Sequence, residues 1–94
     1  MTRIGVRYRT LRLCSGGGGF EAIPETSQRL DLPSIRQRLE AEGSSVTDAR
    51  VMLIIAGTPE VTISSAGRVL IKSSDRSLAE RAFERIRPLL GPPS

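Results

Sequence analysis

The chain of 94 residues contains no histidine, no tryptophan and no asparagine, and it has a single cysteine, Cys14. Without histidine, the usual general base and the commonest metal ligand are missing. Cys14 has no second cysteine for an internal disulfide and no histidine to activate it as a nucleophile. We therefore expect a non-enzymatic protein with no catalytic residue, no metal and no cofactor, and no small-molecule substrate is evident.

Long apolar runs are also scarce. The longest, Val51 to Ala56, is far too short to span a bilayer and ends at Gly57-Thr58-Pro59. No secretory signal is visible between Met1 and Cys14, and a lone cysteine fits a reducing compartment. The sequence predicts no membrane partner and a cytoplasmic location.

The charged residues show a strong bias. Thirteen arginines and one lysine stand against ten acidic residues, and the formal net charge is +4. Arginine forms paired hydrogen bonds to phosphates and carboxylates, so the bias favours an anionic partner. A GC-rich genome or a thermophile, a thermophilic archaeon included, would produce the same bias. Composition leaves both interpretations open.

The first third of the chain predicts one strand and a loop. Apolar and arginine side chains alternate from Thr2 to Leu13, and the alternation slips near Arg9 and Thr10, which predicts a bulge, a bend or the end of the strand. Residues 14–29 are expected to form a Gly-rich flexible loop, and residues 91–94 a disordered tail. The length predicts a single domain over residues 1–94.

The middle of the chain predicts a helix and a strand. Asp31 is a good N-cap, and an apolar stripe that stops at Gly43 predicts a short first helix. A polar turn from Ser44 to Asp48 follows. Arg50 to Ala56 is apolar enough to be a central strand that is covered on both faces or nearly so.

The stretch from Glu60 to Leu90 carries the clearest pattern. Apolar residues alternate with others on either side of Ala66-Gly67, which predicts a β-hairpin. From Leu78 the apolar spacing becomes three and four, which predicts a helix that begins at Ser74 or Asp75. The whole order, β-α-β-β-β-α, predicts an α+β fold in which two helices cover one face of a curved antiparallel sheet of about four to five strands.

From Leu32 onward this order and two local motifs resemble one half of the TATA-binding protein, whose core is two copies of such a unit. The motifs are Val61-Thr-Ile-Ser-Ser-Ala-Gly-Arg-Val-Leu-Ile-Lys72 and the helix Ala79-Glu-Arg-Ala-Phe-Glu-Arg-Ile-Arg-Pro-Leu-Leu90, with a Phe, an Ile and a Pro at matching spacing. The resemblance covers about two thirds of the chain. It implies a single TATA-binding-protein-like half-repeat.

The resemblance also implies a function. In this family, phenylalanines on the sheet wedge into the DNA minor groove and asparagines read it. The wedge positions look like Ser64 and roughly Ala49 here, and the chain has no asparagine, so a kinked complex of the family's type is not expected. A half-repeat carries half of the family's saddle, which implies a homodimer.

If the helices cover one face of the sheet, the other face is the candidate binding surface. Alternation places on it basic and hydroxyl side chains that suit phosphates and sugars. These candidate residues are Arg3, Arg7, Arg9, Thr62, Ser64, Arg68 and Lys72. A solvated face of an arginine-rich protein would show the same pattern.

Two functions follow from this surface. The leading hypothesis is a homodimer that binds nucleic acid, DNA ahead of RNA, through the arginine-bearing sheet face. The alternative is a protein-interaction module, or a small subunit of a larger complex, that uses the open sheet face or an edge. The missing wedge residues and the apolar Met52, Ile54 and Leu70 favour the alternative.

Overall fold

A computed structural model of the chain describes residues 8, 11–13, 18–25 and 29–90. Its elements in chain order are β1 (Arg12–Leu13), β2 (Phe20–Ala22), α1 (Leu32–Ala41), β3 (Val46–Asp48), β4 (Met52–Ile55), β5 (Glu60–Ser64), β6 (Val69–Lys72) and α2 (Arg76–Ile86), followed by a 3-10 turn, Arg87–Leu89. The strands form one sheet in the order β1-β2-β6-β5-β4-β3, and every neighbouring pair is antiparallel. The α+β class is confirmed, with six strands in place of the predicted four to five.

One face of the sheet forms the core together with both helices. Because cross-strand partners share a face, the register gathers the buried strand residues into two rows. The rows are Ala22, Val69, Ile63 and Leu53, and Phe20, Ile71, Val61 and Ile55. The helices contribute Leu32, Ile35 and Leu39 from α1, and Ala79, Phe83 and Ile86 from α2. Removal of these side chains from water is the main force that holds sheet and helices together.

The first helix begins after its predicted cap, Asp31, and the second begins after Asp75, one of its two predicted starts. The Asp31 carboxylate accepts a hydrogen bond from the Ser34 N–H at 3.2 Å, and the Asp75 carboxylate accepts one from the Ser77 N–H at 2.9 Å. Such caps satisfy N–H groups that have no partner inside the helix. Gly43, at φ +95°, follows the end of α1, where glycine adopts the left-handed conformation without strain.

Arg76, the first residue of α2, fixes this helix on the N-terminal strands. Its Nη1 donates a hydrogen bond to the Leu11 carbonyl oxygen at 3.1 Å, and its guanidinium lies 5.0 Å from the centre of the Phe20 ring. Phe20 is buried in this contact and is not available for stacking on a base. Leu78, predicted as the first residue of the core stripe, is 40% exposed instead.

Two predicted connections contain strands. The predicted loop 14–29 includes β2, which is fully buried, so the loop is wrong for residues 20–22. The predicted turn 44–48 includes β3, so four strands, not three, separate the helices. Each of these strands is three residues long, which is too short for periodicity to show, and β3 has one apolar residue.

The predicted central strand is covered on one face only. In β4, Leu53 and Ile55 are buried, whereas Met52 and Ile54 remain half-buried. The expectation of cover on both faces is therefore wrong, because both helices lie on the same side of the sheet. The hairpin around Ala66-Gly67 is confirmed, with Val61 paired to Ile71.

The strand predicted from Thr2 to Leu13 lies mostly outside the described residues, as do Arg9 and Thr10. Within the described part, Tyr8 pairs with Pro24 and Arg12 pairs with Glu21, both antiparallel. Four residue steps separate Tyr8 from Arg12, whereas three separate their partners. The pairing therefore shifts by one residue between these two points, which agrees with the slip in the alternation.

A glycine next to β2 provides a test of the pairing between β2 and β6. A Cβ added to Gly19 would lie 2.6 Å from the Ile71 carbonyl oxygen, so the backbone would have to move. We expect Gly19→Ala to lower the free energy of unfolding by roughly 1–3 kcal/mol, as overpacking does.

Gly18→Ala is the matched control, since a Cβ there meets no atom within 4 Å. Its effect should stay within about 0.5 kcal/mol. Urea unfolding of both variants measures the difference, and equal stability of the two would contradict the close approach of β2 and β6.

Candidate functional site

The open face is defined here as the sheet face opposite the helices. One continuous row crosses it with one residue from each strand, because each residue is the direct partner of the next. This row is Arg12, Glu21, Leu70, Thr62, Ile54 and Thr47. All six strands therefore contribute to a single surface.

Residues on either side of this row complete the open face. Met52 is paired with Ser64 on one side, and Glu60 is paired with Lys72 on the other. Ala49 donates its N–H to the Met52 carbonyl oxygen at 2.9 Å, so Met52 lies between Ser64 and Ala49, the two positions compared above with wedge residues.

Three apolar residues occupy the centre of the open face. Met52, Ile54 and Leu70 are half-buried and are called the apolar strip below. Thr62 lies directly between Ile54 and Leu70. Neither α1 nor α2 covers these side chains, because the apolar stripes of both helices belong to the core on the other face. Apolar side chains that are grouped on an uncovered sheet face are a feature of interaction surfaces.

Four of the seven predicted site residues lie in the described part, and the structure brings them to the open face or its rim. Thr62 and Ser64 are half-buried and Lys72 is exposed. Arg68 precedes β6 and reaches Glu21 on the open face. Arg3, Arg7 and Arg9 lie outside the described residues.

Glu21 is a residue of the open face that the sequence analysis does not predict. It is 7% exposed, and its Oε2 accepts hydrogen bonds from Nε of Arg68 at 3.0 Å and from Nη2 of the same guanidinium. Nε of Arg12 lies 3.6 Å from Oε1. A carboxylate at this depth needs such partners, because burial of an unpaired charge is costly. The alternation of Phe20, Glu21 and Ala22 was its signal, but it spans only three residues.

The open face is not a continuous basic surface within the described residues. Its three cations are Arg12, Arg68 and Lys72, and each forms an ion pair. Lys72 Nζ lies 3.3 Å from Oε1 of Glu60, and Glu21 forms ion pairs with both Arg12 and Arg68. The formal charge of these five groups is therefore +1.

The excess positive charge of the chain lies elsewhere. Eleven of the fourteen basic residues and all ten acidic residues belong to the described part, which carries a formal charge of +1. Arg3, Arg7 and Arg9 supply the remaining three charges of the net +4. These three arginines therefore carry most of the net positive charge of the chain.

Tyr8 connects the N-terminal segment to the turn that carries Arg68. Its hydroxyl donates a hydrogen bond to the Gly67 carbonyl oxygen at 2.5 Å, and its ring packs edge-on against Phe83 with 5.2 Å between ring centres. Burial raises the pKa of Tyr8 from 10.0 to about 12. Tyr8 therefore packs against the core.

The described residues hold no group of three or more Cys, Asp or Glu side chains placed to bind a metal ion. None of the helices in these ranges has the length and the apolar character that a bilayer span requires. No family model matches the chain, and no curated protein or solved structure matches it either.

The raised pKa of Tyr8 predicts a loss of stability at high pH. Between pH 10 and about 12 the unfolded chain has released the phenolic proton while the folded chain retains it, so the free energy of unfolding falls as the pH rises. Tyr8→Phe removes this dependence.

At neutral pH Tyr8→Phe should cost about 1 kcal/mol, since it loses the hydrogen bond to Gly67. The stability gap between wild type and variant should then narrow as the pH rises above 10. Urea unfolding across this pH range measures the gap, and a constant gap would show that Tyr8 ionises equally well in the folded and unfolded chain.

Proposed function

We propose that the chain is a non-enzymatic protein-interaction domain and that a second copy of the chain docks on its open face. The observation that carries this proposal is the apolar strip of Met52, Ile54 and Leu70, which neither α1 nor α2 covers. Burial of this strip against another protein would remove apolar surface from water and so stabilise the complex.

The charges around the strip support a protein partner over a polyanion. A protein interface typically has an apolar centre and a polar rim. The rim of the open face carries both signs, with Arg12, Arg68 and Lys72 next to Glu21 and Glu60. A surface that holds both signs can complement itself across a two-fold axis, because a cation of one copy can face a carboxylate of the other.

The size of the chain also favours a second copy. A domain of 94 residues encloses one thin core, and its surface is large relative to its volume. Pairing of the two open faces would bury apolar area on the side of the sheet that does not pack against α1 or α2. A two-fold contact of this kind closes on itself and gives a dimer.

A charge placed in the apolar strip tests the dimer. We expect wild type to dimerise as its concentration rises and Ile54→Arg to remain monomeric, because an arginine at the centre of the interface would be buried without a partner. Light scattering across a concentration series measures the mass of each protein.

Gln37→Arg is the matched control, since Gln37 is exposed on α1, on the helix side of the sheet. This variant should dimerise like wild type, and circular dichroism should show that both variants are folded. A wild type that stays monomeric, or an Ile54→Arg variant that still dimerises, would exclude the open face as the interface.

Nucleic-acid binding through the open face is a second candidate function. Arg12 and Arg68 both pair with Glu21, and the Arg68 N–H donates a hydrogen bond to the Ser64 hydroxyl at 3.0 Å. The resemblance to a half-repeat of the TATA-binding protein supports this use of the sheet. On this hypothesis Arg3, Arg7 and Arg9 supply the free charge, and DNA is preferred to RNA.

A salt titration of binding to labelled duplex DNA, single-stranded DNA and RNA tests the second candidate. If phosphates contact the open face, affinity falls steeply with salt, and Lys72→Gln reduces the slope of log K against log salt by about 1. Arg38→Gln, which removes an exposed charge on α1, is the control and should leave the slope unchanged. Absence of binding at low salt would rule this function out.

A further inference from the structure

A small groove lies on the opposite side of the sheet from the open face, between the C-terminal ends of the two helices. Its floor is formed by four buried aliphatic side chains, Leu39, Ile55, Val61 and Ile86. The turn between β4 and β5, residues 56–59, closes one end. The groove is partly open to solvent and has a volume of about 110 Å³.

Two opposite charges stand on the walls of the groove. Glu42 follows the last turn of α1, and Arg85 belongs to the last turn of α2. Both are exposed, and among the described residues neither side chain takes part in an ion pair. Their neighbours Glu40 and Glu84, by contrast, are paired with Arg36 and Arg87.

We propose that this groove binds a free aliphatic α-amino acid. Its branched side chain lies on the apolar floor, its carboxylate pairs with Arg85, and its ammonium group pairs with Glu42. The three features of the groove, a cation, an anion and an apolar floor, complement the three parts of such a ligand. A guanidinium can hold a carboxylate through two parallel hydrogen bonds, which adds orientation to the charge attraction.

The size of the groove sets the ligand class. A volume of about 110 Å³ holds one aliphatic side chain, whereas sites for larger organic ligands usually exceed about 300 Å³. The groove is open to solvent at the walls where the two charges stand, so the charged ends of an amino acid stay hydrated in part. Ala82, a small residue on α2, leaves this space open.

A titration with L-leucine, followed by amide chemical shifts of the folded chain, tests the site. We expect saturable shifts around Ile55 and Arg85. Binding should weaken about tenfold for Arg85→Gln and for Glu42→Gln, since each loses one charged contact. Arg81→Gln removes an exposed charge of the same helix that does not line the groove, so it should bind leucine like wild type.

Three ligand analogues separate the contacts. N-acetyl-leucine lacks the ammonium group, so its affinity for wild type should match the affinity of leucine for Glu42→Gln. Leucinamide lacks the carboxylate, so its affinity for wild type should match the affinity of leucine for Arg85→Gln. Equal affinity for leucine and for N-acetyl-leucinamide would overturn the proposal and leave a pocket for the side chain of a protein partner. Absence of saturable shifts with leucine would overturn it as well.

A variant that fills the groove completes the test. Ala82→Leu should abolish the shifts caused by leucine while the spectrum shows a folded protein, and retained binding would overturn the proposed location. Ile54→Arg, on the open face, should bind leucine like wild type. The amino-acid site and the dimer interface can therefore fail independently.

Discussion

The fold depends on the one-sided burial of its sheet. Side chains alternate between the two faces of every strand, so each strand can bury one of its two sets of residues. Both helices lie over the same set, which fixes the register of all six strands, since a shift by one residue would turn the core outward. The same constraint leaves the other face without cover from α1 or α2, and the apolar strip is its direct result.

The pairing of Glu21 follows from this constraint. Side chains along β2 alternate between the two faces of the sheet. Phe20 and Ala22 enter the core, so Glu21 between them lies on the open face. Arg12 and Arg68 compensate it from adjacent strands, so the charges nearest to the apolar strip are already engaged within the chain. The helix side is different, because Glu42 and Arg85 stand on separate helices around a groove. The two sides of the sheet therefore offer different chemistry to a partner.

The parts of the fold that the sequence predicts are those in which apolar residues recur at a regular spacing over many positions. Every second residue of the hairpin strands β5 and β6 is a valine or an isoleucine, and Asp31 and Asp75 mark the helix starts. β2 and β3 could not be found, because three residues carry no period and their place in the sheet is set by partners far along the chain. Thr62, Ser64 and Lys72 were assigned to the right face because they alternate with Val61, Ile63 and Ile71. The role of Glu21 and the groove between the helices required tertiary contacts.

The third residue of β3 limits how copies of this chain can aggregate. β3 ends one side of the sheet, and the exposed edge of a strand is a template on which other chains can polymerise. This edge is three residues long, and Asp48 places there a carboxylate that lies 3.6 Å from Arg36 and accepts a hydrogen bond from the Arg50 N–H. An incoming strand would have to desolvate this charge for few backbone hydrogen bonds in return. Growth into open-ended fibrils by addition of strands to β3 is therefore disfavoured at this edge.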